Sequence, residues 1–208
     1  MSDAGRIALI DYGAGNLTSV RKALTALGAR FLIPDVPSAL EGVAGVIVPG
    51  VGNFAATAAL EGEWRDAIHR AVAAGTPLLG ICLGMQWLFE GSDEAPEVRG
   101  LGVMAGRITR LKGDADHRLK VPHVGWNALE FSGSARLLAG LQPGAQVYFT
   151  HSYAAPVTSD TAAATNHCAT FASVVERDNI FGVQFHPEKS SDPGLQMLRN
   201  FLRVCGAC

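Results

Sequence analysis

The chain has 208 residues, 48% of them hydrophobic and 17% charged, with a formal net charge of −2 at pH 7, and this balance excludes a disordered chain. The near-neutral charge, without a lysine or arginine cluster, argues against a nucleic-acid partner. The N-terminus lacks a signal-peptide pattern and no segment has the roughly 20 apolar residues of a membrane span, so we expect a cytoplasmic protein without a membrane partner.

The N-terminal half alternates short apolar runs with amphipathic stretches. The runs predicted to be buried strands cover residues 6–10, 30–33, 43–48 and 78–81. The stretches with helical periodicity cover residues 17–27, 64–74 and 83–89. This alternation predicts an α/β three-layer sandwich, in which helices cover both faces of a largely parallel central sheet.

The C-terminal half changes to a β-rich texture with turns at close intervals. The predicted β-rich pieces cover residues 106–111, 125–131, 146–154 and 170–185. They predict a mixed or antiparallel edge to the sheet, and a final amphipathic helix is predicted over 194–204. Because no linker or repeat interrupts the chain, residues 1–208 are predicted to form a single domain.

Residues 80–84, Gly-Ile-Cys-Leu-Gly, match the G-x-nucleophile-x-G elbow with cysteine as the nucleophile. A predicted strand precedes this motif and a predicted helix follows it, as the elbow requires. The two glycines leave room for a sharp turn that presents the Cys82 side chain above the sheet. A position at a helix N-terminus favours the thiolate that attacks a carbonyl carbon. An isolated cysteine is usually a small buried apolar residue, but these flanks favour a nucleophile.

A candidate base follows a predicted strand at residues 181–185, where the sequence reads His186-Pro187-Glu188. Residues two apart in an extended segment project to the same side, so Glu188 can orient the His186 ring while the other ring nitrogen moves a proton. Among the other histidines, His151 is retained as a candidate site residue. No role is predicted for the remaining histidines at positions 69, 117, 123 and 167.

The loop Pro49-Gly50-Val51-Gly52 follows the third predicted strand at the same end of the sheet. A backbone N–H in this loop could join the Leu83 N–H in holding a developing oxyanion. An ordinary glycine turn explains the same four residues, so the sequence leaves both interpretations open.

These motifs closely resemble those of the class I glutamine amidotransferases, and within that family the group of glutaminase subunits that serve imidazole glycerol phosphate synthases. The elbow and the H-P-E sequence are typical of the class, and the remaining blocks are similar to those of the subunit group. The resemblance extends over nearly the whole chain. The motifs that carry it are residues 11–17, 49–54, 80–86, 122–127, 151–153 and 182–190.

The resemblance implies roles for individual residues. It implies a triad in which Cys82 is the nucleophile, His186 the base and Glu188 the orienting carboxylate. The residues then predicted to hold the oxyanion or the substrate L-glutamine are Val51, Gly52, Leu83, Gln86 and His151. Those implied to lie toward a partner are Asn16, Trp126, Tyr148 and Lys189.

The resemblance also implies a partner, because ammonia is the product of glutamine hydrolysis. In this family a separate cyclase subunit with a (β/α)8 barrel takes the ammonia and makes imidazole glycerol phosphate in histidine biosynthesis. The expected assembly is therefore a heterodimer. No metal or organic cofactor is indicated for this chain.

Two alternative functions remain at the level of the sequence. A stand-alone γ-glutamyl thiol hydrolase would use the same triad, because a triad fixes acyl transfer without fixing the acyl group. A dinucleotide-binding oxidoreductase is suggested by Gly13-Ala14-Gly15 and Asp35, but Thr18 stands where that fingerprint needs glycine or alanine. The C-terminal pair Cys205 and Cys208 is predicted to have no function.

Overall fold

The protein is described by a computed structural model over residues 5–113 and 120–207, so His117 and Cys208 lie outside the described residues. The helices are α1 (Leu17–Ala26), α2 (Glu63–Ala73), α3 (Leu83–Trp87) and α4 (Ser191–Val204). The strands are β1 (Ile7–Leu9), β2 (Phe31–Leu32), β3 (Gly45–Gly50), β4 (Leu78–Cys82), β5 (Gly91–Ser92), β6 (Ala95–Arg99), β7 (Arg107–Arg110), β8 (His123–Ala128), β9 (Gln146–His151), β10 (Tyr153–Ala154), β11 (Thr161–His167), β12 (Ala169–Arg177) and β13 (Ile180–Val183). Short 3-10 helices cover Pro37–Leu40, Phe54–Leu60, Arg136–Leu138 and Pro187–Lys189.

A seven-stranded sheet forms the centre of the fold, in the order β11-β12-β13-β4-β3-β1-β2. The strands from β13 to β2 run parallel, and β12 and β11 add an antiparallel edge. The predicted largely parallel sheet with a different edge is therefore confirmed. Because β4 lies between β3 and β13, its carboxyl end opens in the middle of the sheet, where α/β folds place their sites.

Helices cover both faces of this sheet. On one face, Leu24 of α1 and Phe201 of α4 belong to a single buried cluster. On the other face, Ile68 of α2 and Met85 of α3 belong to a second one. Burial of each of these side chains contributes about 1.5 to 3 kcal/mol, so the two clusters hold the layers together. The three-layer α/β architecture is confirmed.

Two smaller β-structures lie outside the central sheet. A four-stranded sheet has the order β10-β7-β5-β6, and β8 pairs antiparallel with β9 in a separate ribbon. None of the helices in the described ranges combines the length and the hydrophobicity needed to cross a bilayer.

The main differences from the predicted elements lie where the apolar pattern is weak. Strands β5, β6 and β11 were not predicted, because Ala95–Arg99 is mostly exposed and Thr161–His167 consists of alanine, threonine, asparagine and histidine. The piece predicted over 170–185 forms two strands, since the chain turns at Asp178, whose φ is +50°. Helix α3 ends at Trp87, two residues before the predicted end.

The junction of β4 and α3 has no intervening loop, and glycines make this possible. A Cβ atom added at Gly84 would lie 1.8 Å from the carbonyl oxygen of Val48 on β3. One added at Gly80 would lie 2.6 Å from the carbonyl oxygen of Gly84. Favourable contacts between carbon atoms need about 3.5 to 4.0 Å, so the helix can approach the sheet this closely only with glycine.

We therefore predict that Gly84→Ala lowers the free energy of unfolding by about 1 to 3 kcal/mol, the usual cost of overpacking. Urea unfolding measures this change. Gly133→Ala is the matched control, because a Cβ there would meet no atom within 4 Å. Equal effects of the two substitutions would contradict the packing argument.

Candidate active site

Cys82 is the last residue of β4 and stands directly before α3. Its φ of +53° and ψ of −107° place it in a region that residues with a side chain seldom adopt. Such strain costs about 1 to 3 kcal/mol and persists where the surrounding structure enforces it, as the close-packed elbow does here. The elbow predicted from the sequence is therefore present, and it places the sulfur at the carboxyl end of the parallel strands.

His186 and Glu188 form a buried pair beside this elbow. The ring nitrogen Nδ1 of His186 lies 2.9 Å from Glu188 Oε1, and the side chains are only 2% and 1% exposed. Since an ionised carboxylate only accepts, Nδ1 carries a hydrogen and Nε2 is left for chemistry. The two residues are joined through the 3-10 turn Pro187–Lys189 and not through an extended segment, which corrects the local geometry assumed from the sequence.

The backbone around His186 is fixed from strand β9. The His186 N–H donates to the Tyr148 carbonyl at 2.9 Å. The Ser190 hydroxyl donates to the His186 carbonyl at 2.6 Å and accepts from the Tyr148 N–H at 2.9 Å. These bonds hold the backbone of His186 in place, and the hydrogen bond to Glu188 orients the ring.

The charge balance of the site favours a protonated His186. Burial lowers its pKa, but attraction to Cys82 and the hydrogen bond and attraction to Glu188 outweigh burial and raise the pKa to about 10. These interactions therefore stabilise the folded state fully at pH values below 6.5, the ordinary pKa of histidine. This contribution is lost as the pH rises through about 10, the raised pKa of His186.

A cleft opens beside Cys82 and contains all five residues predicted to hold the oxyanion or the substrate. Its walls come from the elbow, the loop after β3, the β5–β6 turn and the end of β9. The lining residues are Val51, Gly52, Cys82, Leu83, Gln86, Glu94, Pro122, Thr150, His151, Ser152 and Tyr153.

Glu94 was missed in the sequence, although it brings the only carboxylate to the cleft among the described lining residues. Its Oε2 accepts a hydrogen bond from the Phe54 N–H at 2.8 Å, across 40 positions of the chain. This bond fixes the carboxylate and leaves oxygen lone pairs for a cationic group of a ligand. No local motif marks Glu94, so the sequence carried no signal for it.

Val51 lies in the cleft, but its N–H points away from Cys82. It donates to the Ala14 carbonyl at 2.6 Å. In this conformation Val51 therefore supplies no oxyanion donor, contrary to the role expected from the resemblance. A Cβ at Gly50 would lie 2.1 Å from the Tyr12 hydroxyl and 2.8 Å from Leu83 Cβ, so glycine is needed here for close packing.

Gln86 is buried, and its amide is part of the cleft wall. Its Nε2 donates to the Tyr153 carbonyl at 2.9 Å and to Gln184 Oε1 at 3.1 Å. Both hydrogens are thus used internally, and Oε1 remains for a ligand. Gln184, which was also missed, donates in turn to the sulfur of Cys82 at 3.7 Å.

Two of the histidines set aside in the sequence, His123 and His167, lie against His151 or its neighbours. His123 Nδ1 is 3.0 Å from His151 Nε2, and the His123 and His167 rings stack with centroids 3.9 Å apart. Strand pairing brings His123 directly opposite His151, across 28 positions. The sequence did not predict that these two histidines lie beside His151, and His69 is not part of the cluster.

Of the four residues implied to face a partner, three lie next to His186 or Glu188, and the fourth, Trp126, contacts one of these three. Asn16 lines a small cavity together with His186 and Glu188. The Trp126 and Tyr148 rings meet edge to face at 6.1 Å, and Trp126 is 52% exposed. Lys189 follows the pair directly and is exposed. An exposed apolar surface thus lies next to the buried pair.

Over residues 5–113 and 120–207, no three His, Cys, Asp or Glu side chains are arranged to hold a metal ion. Cys168 lies outside the cleft, and the Cys205 sulfur lies against Gly45 at the far side of β3.

The sheet order, the strained cysteine elbow and the buried histidine and glutamate define an α/β protein that brings a cysteine, a histidine and a carboxylate to the carboxyl end of its central sheet. A family model described as class I glutamine amidotransferase matches residues 8–205. The imidazole glycerol phosphate synthase subunit HisH of Gloeobacter violaceus is 45% identical, with 97% of this chain and 91% of the relative covered. The subunit of the same name from Pyrococcus furiosus is 44% identical, with 96% and 99% covered.

A crystal structure of a glutamine amidotransferase has the same fold, with a TM-score of 0.75, 21% identity, and 96% of this chain and 98% of that chain covered. The chain belongs to the class I glutamine amidotransferases and, among them, to the family of the HisH subunits. This membership decides against the dinucleotide-binding oxidoreductase.

We predict that Glu188→Gln makes His186 titrate at a lower pH, because the substitution removes a charge that raises the pKa of the imidazole. An NMR titration of the His186 ring carbons measures this. Glu97→Gln makes the same chemical change at an exposed position on β6 and should leave the titration unchanged. An unaltered His186 titration in Glu188→Gln would refute the assigned pairing.

Proposed function

We propose that the chain hydrolyses L-glutamine to glutamate and ammonia through a Cys82, His186 and Glu188 triad. The thiolate of Cys82 attacks the side-chain amide carbon of glutamine, and His186 Nε2 gives its proton to the departing ammonia. A water molecule, deprotonated by the same nitrogen, then releases glutamate from the thioester. Glu188 keeps the Nδ1 hydrogen in place and stabilises the imidazolium without moving a proton itself. The cysteine elbow beside the buried ion pair is the observation that carries this proposal.

The cleft offers groups for each part of the substrate. Leu83 begins α3, where backbone N–H groups have no partner within the helix, so its N–H is free to bind the developing oxyanion. Glu94 suits the α-ammonium group of glutamine, and Gln86 Oε1 suits a donor of the substrate. His151 and Gly52 complete the walls of the cleft.

We further propose that the ammonia passes to a cyclase subunit with a (β/α)8 barrel, with which the chain forms a heterodimer in the cytoplasm. The relatives' name, a subunit of imidazole glycerol phosphate synthase, supports a partner. The exposed side chains of Val124 and Trp126, at 57% and 52%, support a docking face beside the triad. Tyr148 contacts Trp126, and Asn16 and Lys189 lie beside the buried pair.

We predict that a chloroketone analogue of glutamine labels Cys82 and inactivates the protein, because the elbow presents the thiolate to the amide-binding cleft. Peptide mapping by mass spectrometry locates the adduct, and excess L-glutamine should slow its formation. Cys168→Ala is the matched control and should label normally, whereas Cys82→Ala should lose both label and activity. Full activity of Cys82→Ala would disprove the nucleophile.

The orientation of the Gly50–Val51 peptide suggests how partner and catalysis are coupled. While the Val51 N–H is bonded to Ala14, one of the two expected oxyanion donors is missing. Loss of one such donor costs about 2.7 to 4 kcal/mol, or about a hundred- to a thousandfold in rate. A partner that favours the rotated peptide therefore activates the enzyme without any change in the triad.

We predict that the isolated chain releases glutamate slowly, and that the cyclase together with its nucleotide ligand accelerates release by at least about tenfold, a coupling of ~1.4 kcal/mol. Glutamate release is measured with the chain alone, with the cyclase, and with both additions. A Cys82→Ala chain in the same mixture gives the background. Equal rates for the isolated and the fully assembled enzyme would overturn the coupling and leave the triad intact.

A further inference from the structure

A line of buried polar groups connects strand β8 to the wall of the glutamine cleft. His123 Nδ1 and His151 Nε2 are 3.0 Å apart, and His151 Nδ1 lies 2.8 Å from the Tyr153 carbonyl oxygen. At the other end, Asn127 Nδ2 lies 3.3 Å from His123 Nε2. Every ring nitrogen of the two histidines therefore has a partner.

The cleft end of this line fixes the direction of its hydrogen bonds. The Tyr153 carbonyl can only accept, so His151 Nδ1 carries the hydrogen. In a neutral ring, His151 Nε2 is then an acceptor, and His123 Nδ1 must donate to it. His123 Nε2 is left as an acceptor.

The β8 end fixes the same direction independently. The Asn127 side-chain oxygen accepts from the Ala128 N–H at 2.8 Å, which identifies the other terminal atom as nitrogen. That nitrogen donates to the Asn166 carbonyl at 3.0 Å and to His123 Nε2. His123 Nε2 must therefore be an acceptor, as the cleft end also requires.

Both rings are consequently neutral Nδ1–H tautomers. A proton added at Nε2 of either ring would point at the hydrogen of the group that donates to that nitrogen. Burial and nearby histidines lower the pKa of His123 to about 3. Burial lowers the pKa of His151 to about 4, against the effect of the Tyr153 carbonyl. The His123 ring is also clamped by stacking on Phe149, with centroids 4.7 Å apart, and on His167.

The line continues from Tyr153 to the nucleophile. The Tyr153 carbonyl accepts from both His151 and Gln86, Gln86 donates to Gln184, and Gln184 donates to the Cys82 sulfur. The position of Gln86 in the cleft therefore depends on a carbonyl that His151 holds from the other side.

We propose that His123 is a positioning residue for glutamine binding: it locks His151 in the Nδ1–H tautomer, and His151 holds the Tyr153 carbonyl that seats Gln86. His123 touches no substrate and lies outside the cleft lining. The role in glutamine binding rests on the proposed hydrolysis of glutamine. The assignment of the tautomers rests only on the hydrogen-bond geometry.

The first test is direct observation of the tautomers by long-range 1H–15N NMR of the full-length chain labelled with 15N-histidine. The expected spectrum shows His123 and His151 as neutral Nδ1–H rings at pH 7. A spectrum in which either ring is an Nε2–H tautomer or an imidazolium overturns the proposal. This measurement needs no variant and no activity.

The second test compares three variants in the glutaminase assay. His123→Phe keeps the stacking ring and removes both nitrogens, so we expect the KM for glutamine to rise about three- to tenfold, the effect of one lost hydrogen bond, with a smaller change in kcat. His123→Asn places an amide N–H near the lost Nδ1–H and should recover most of that rise. His167→Phe, which keeps its stacking and removes a ring outside the line, should leave KM unchanged.

The proposal is wrong if His123→Phe has the same KM for glutamine as the unchanged protein. It is also wrong if His167→Phe raises KM as much as His123→Phe does, or if His123→Asn has a KM as high as that of His123→Phe. If His123→Phe fails to fold, the tautomer spectrum of the unchanged chain still decides. Failure of the proposed function is distinguishable from failure of this inference. If the unchanged chain does not hydrolyse glutamine, the proposed function is wrong, and the NMR spectrum still tests the tautomers.

Discussion

Cys82 adopts a φ of +53° between a buried strand and a helix, and the rest of the site depends on this conformation. The strain of about 1 to 3 kcal/mol is offset by the surroundings of β4, which is paired along its length with β3 and β13. Gly84 allows the helix to approach the Val48 carbonyl, so this packing of α3 on the sheet requires glycine at that position. The sulfur is therefore directed by packing of the core, and substrate binding does not have to supply that energy.

The same buried region holds histidines in opposite protonation states, and their partners explain the difference. His186 faces a carboxylate and a sulfur, both of which stabilise a positive ring, so its pKa is raised despite burial. His123 and His151 face a carbonyl, an amide and each other, and burial then lowers the pKa of each ring. In the proposed mechanism, proton transfer is thus confined to His186, while the other two rings serve as fixed donors and acceptors.

The parts of the site that the sequence predicted are those encoded locally. The elbow is contained in residues 80–84, and His186 and Glu188 are two positions apart, so a short pattern defines each of them. The alternation of strands and helices likewise predicted the central sheet, because buried parallel strands read as continuous apolar runs.

The parts that the sequence did not predict depend on distant pairing. Glu94 is fixed by a bond across 40 positions, and Gln184 reaches Gln86 across 98. His123 meets His151 only because β8 and β9 pair in one particular register. The direction of the Val51 N–H depends on a contact with Ala14, which no local pattern encodes. Strand β11 was also not predicted, because it has few large apolar residues. Its structure depends on pairing with the neighbouring strand and not on its own composition.

Two segments that affect the chemistry also carry exposed apolar side chains. Val51, whose N–H is engaged by Ala14, is 37% exposed, and Trp126 on the same strand as His123 is 52% exposed. Along β8, side chains alternate, so Val124 and Trp126 face outward while His123 and Asn127 face the polar line. A partner that covered both segments would contact the loop that carries the Val51 N–H and the strand that carries His123. In the proposed function the loop acts on the chemical step and the strand on glutamine binding, so one docking event would change kcat and KM by separate physical routes.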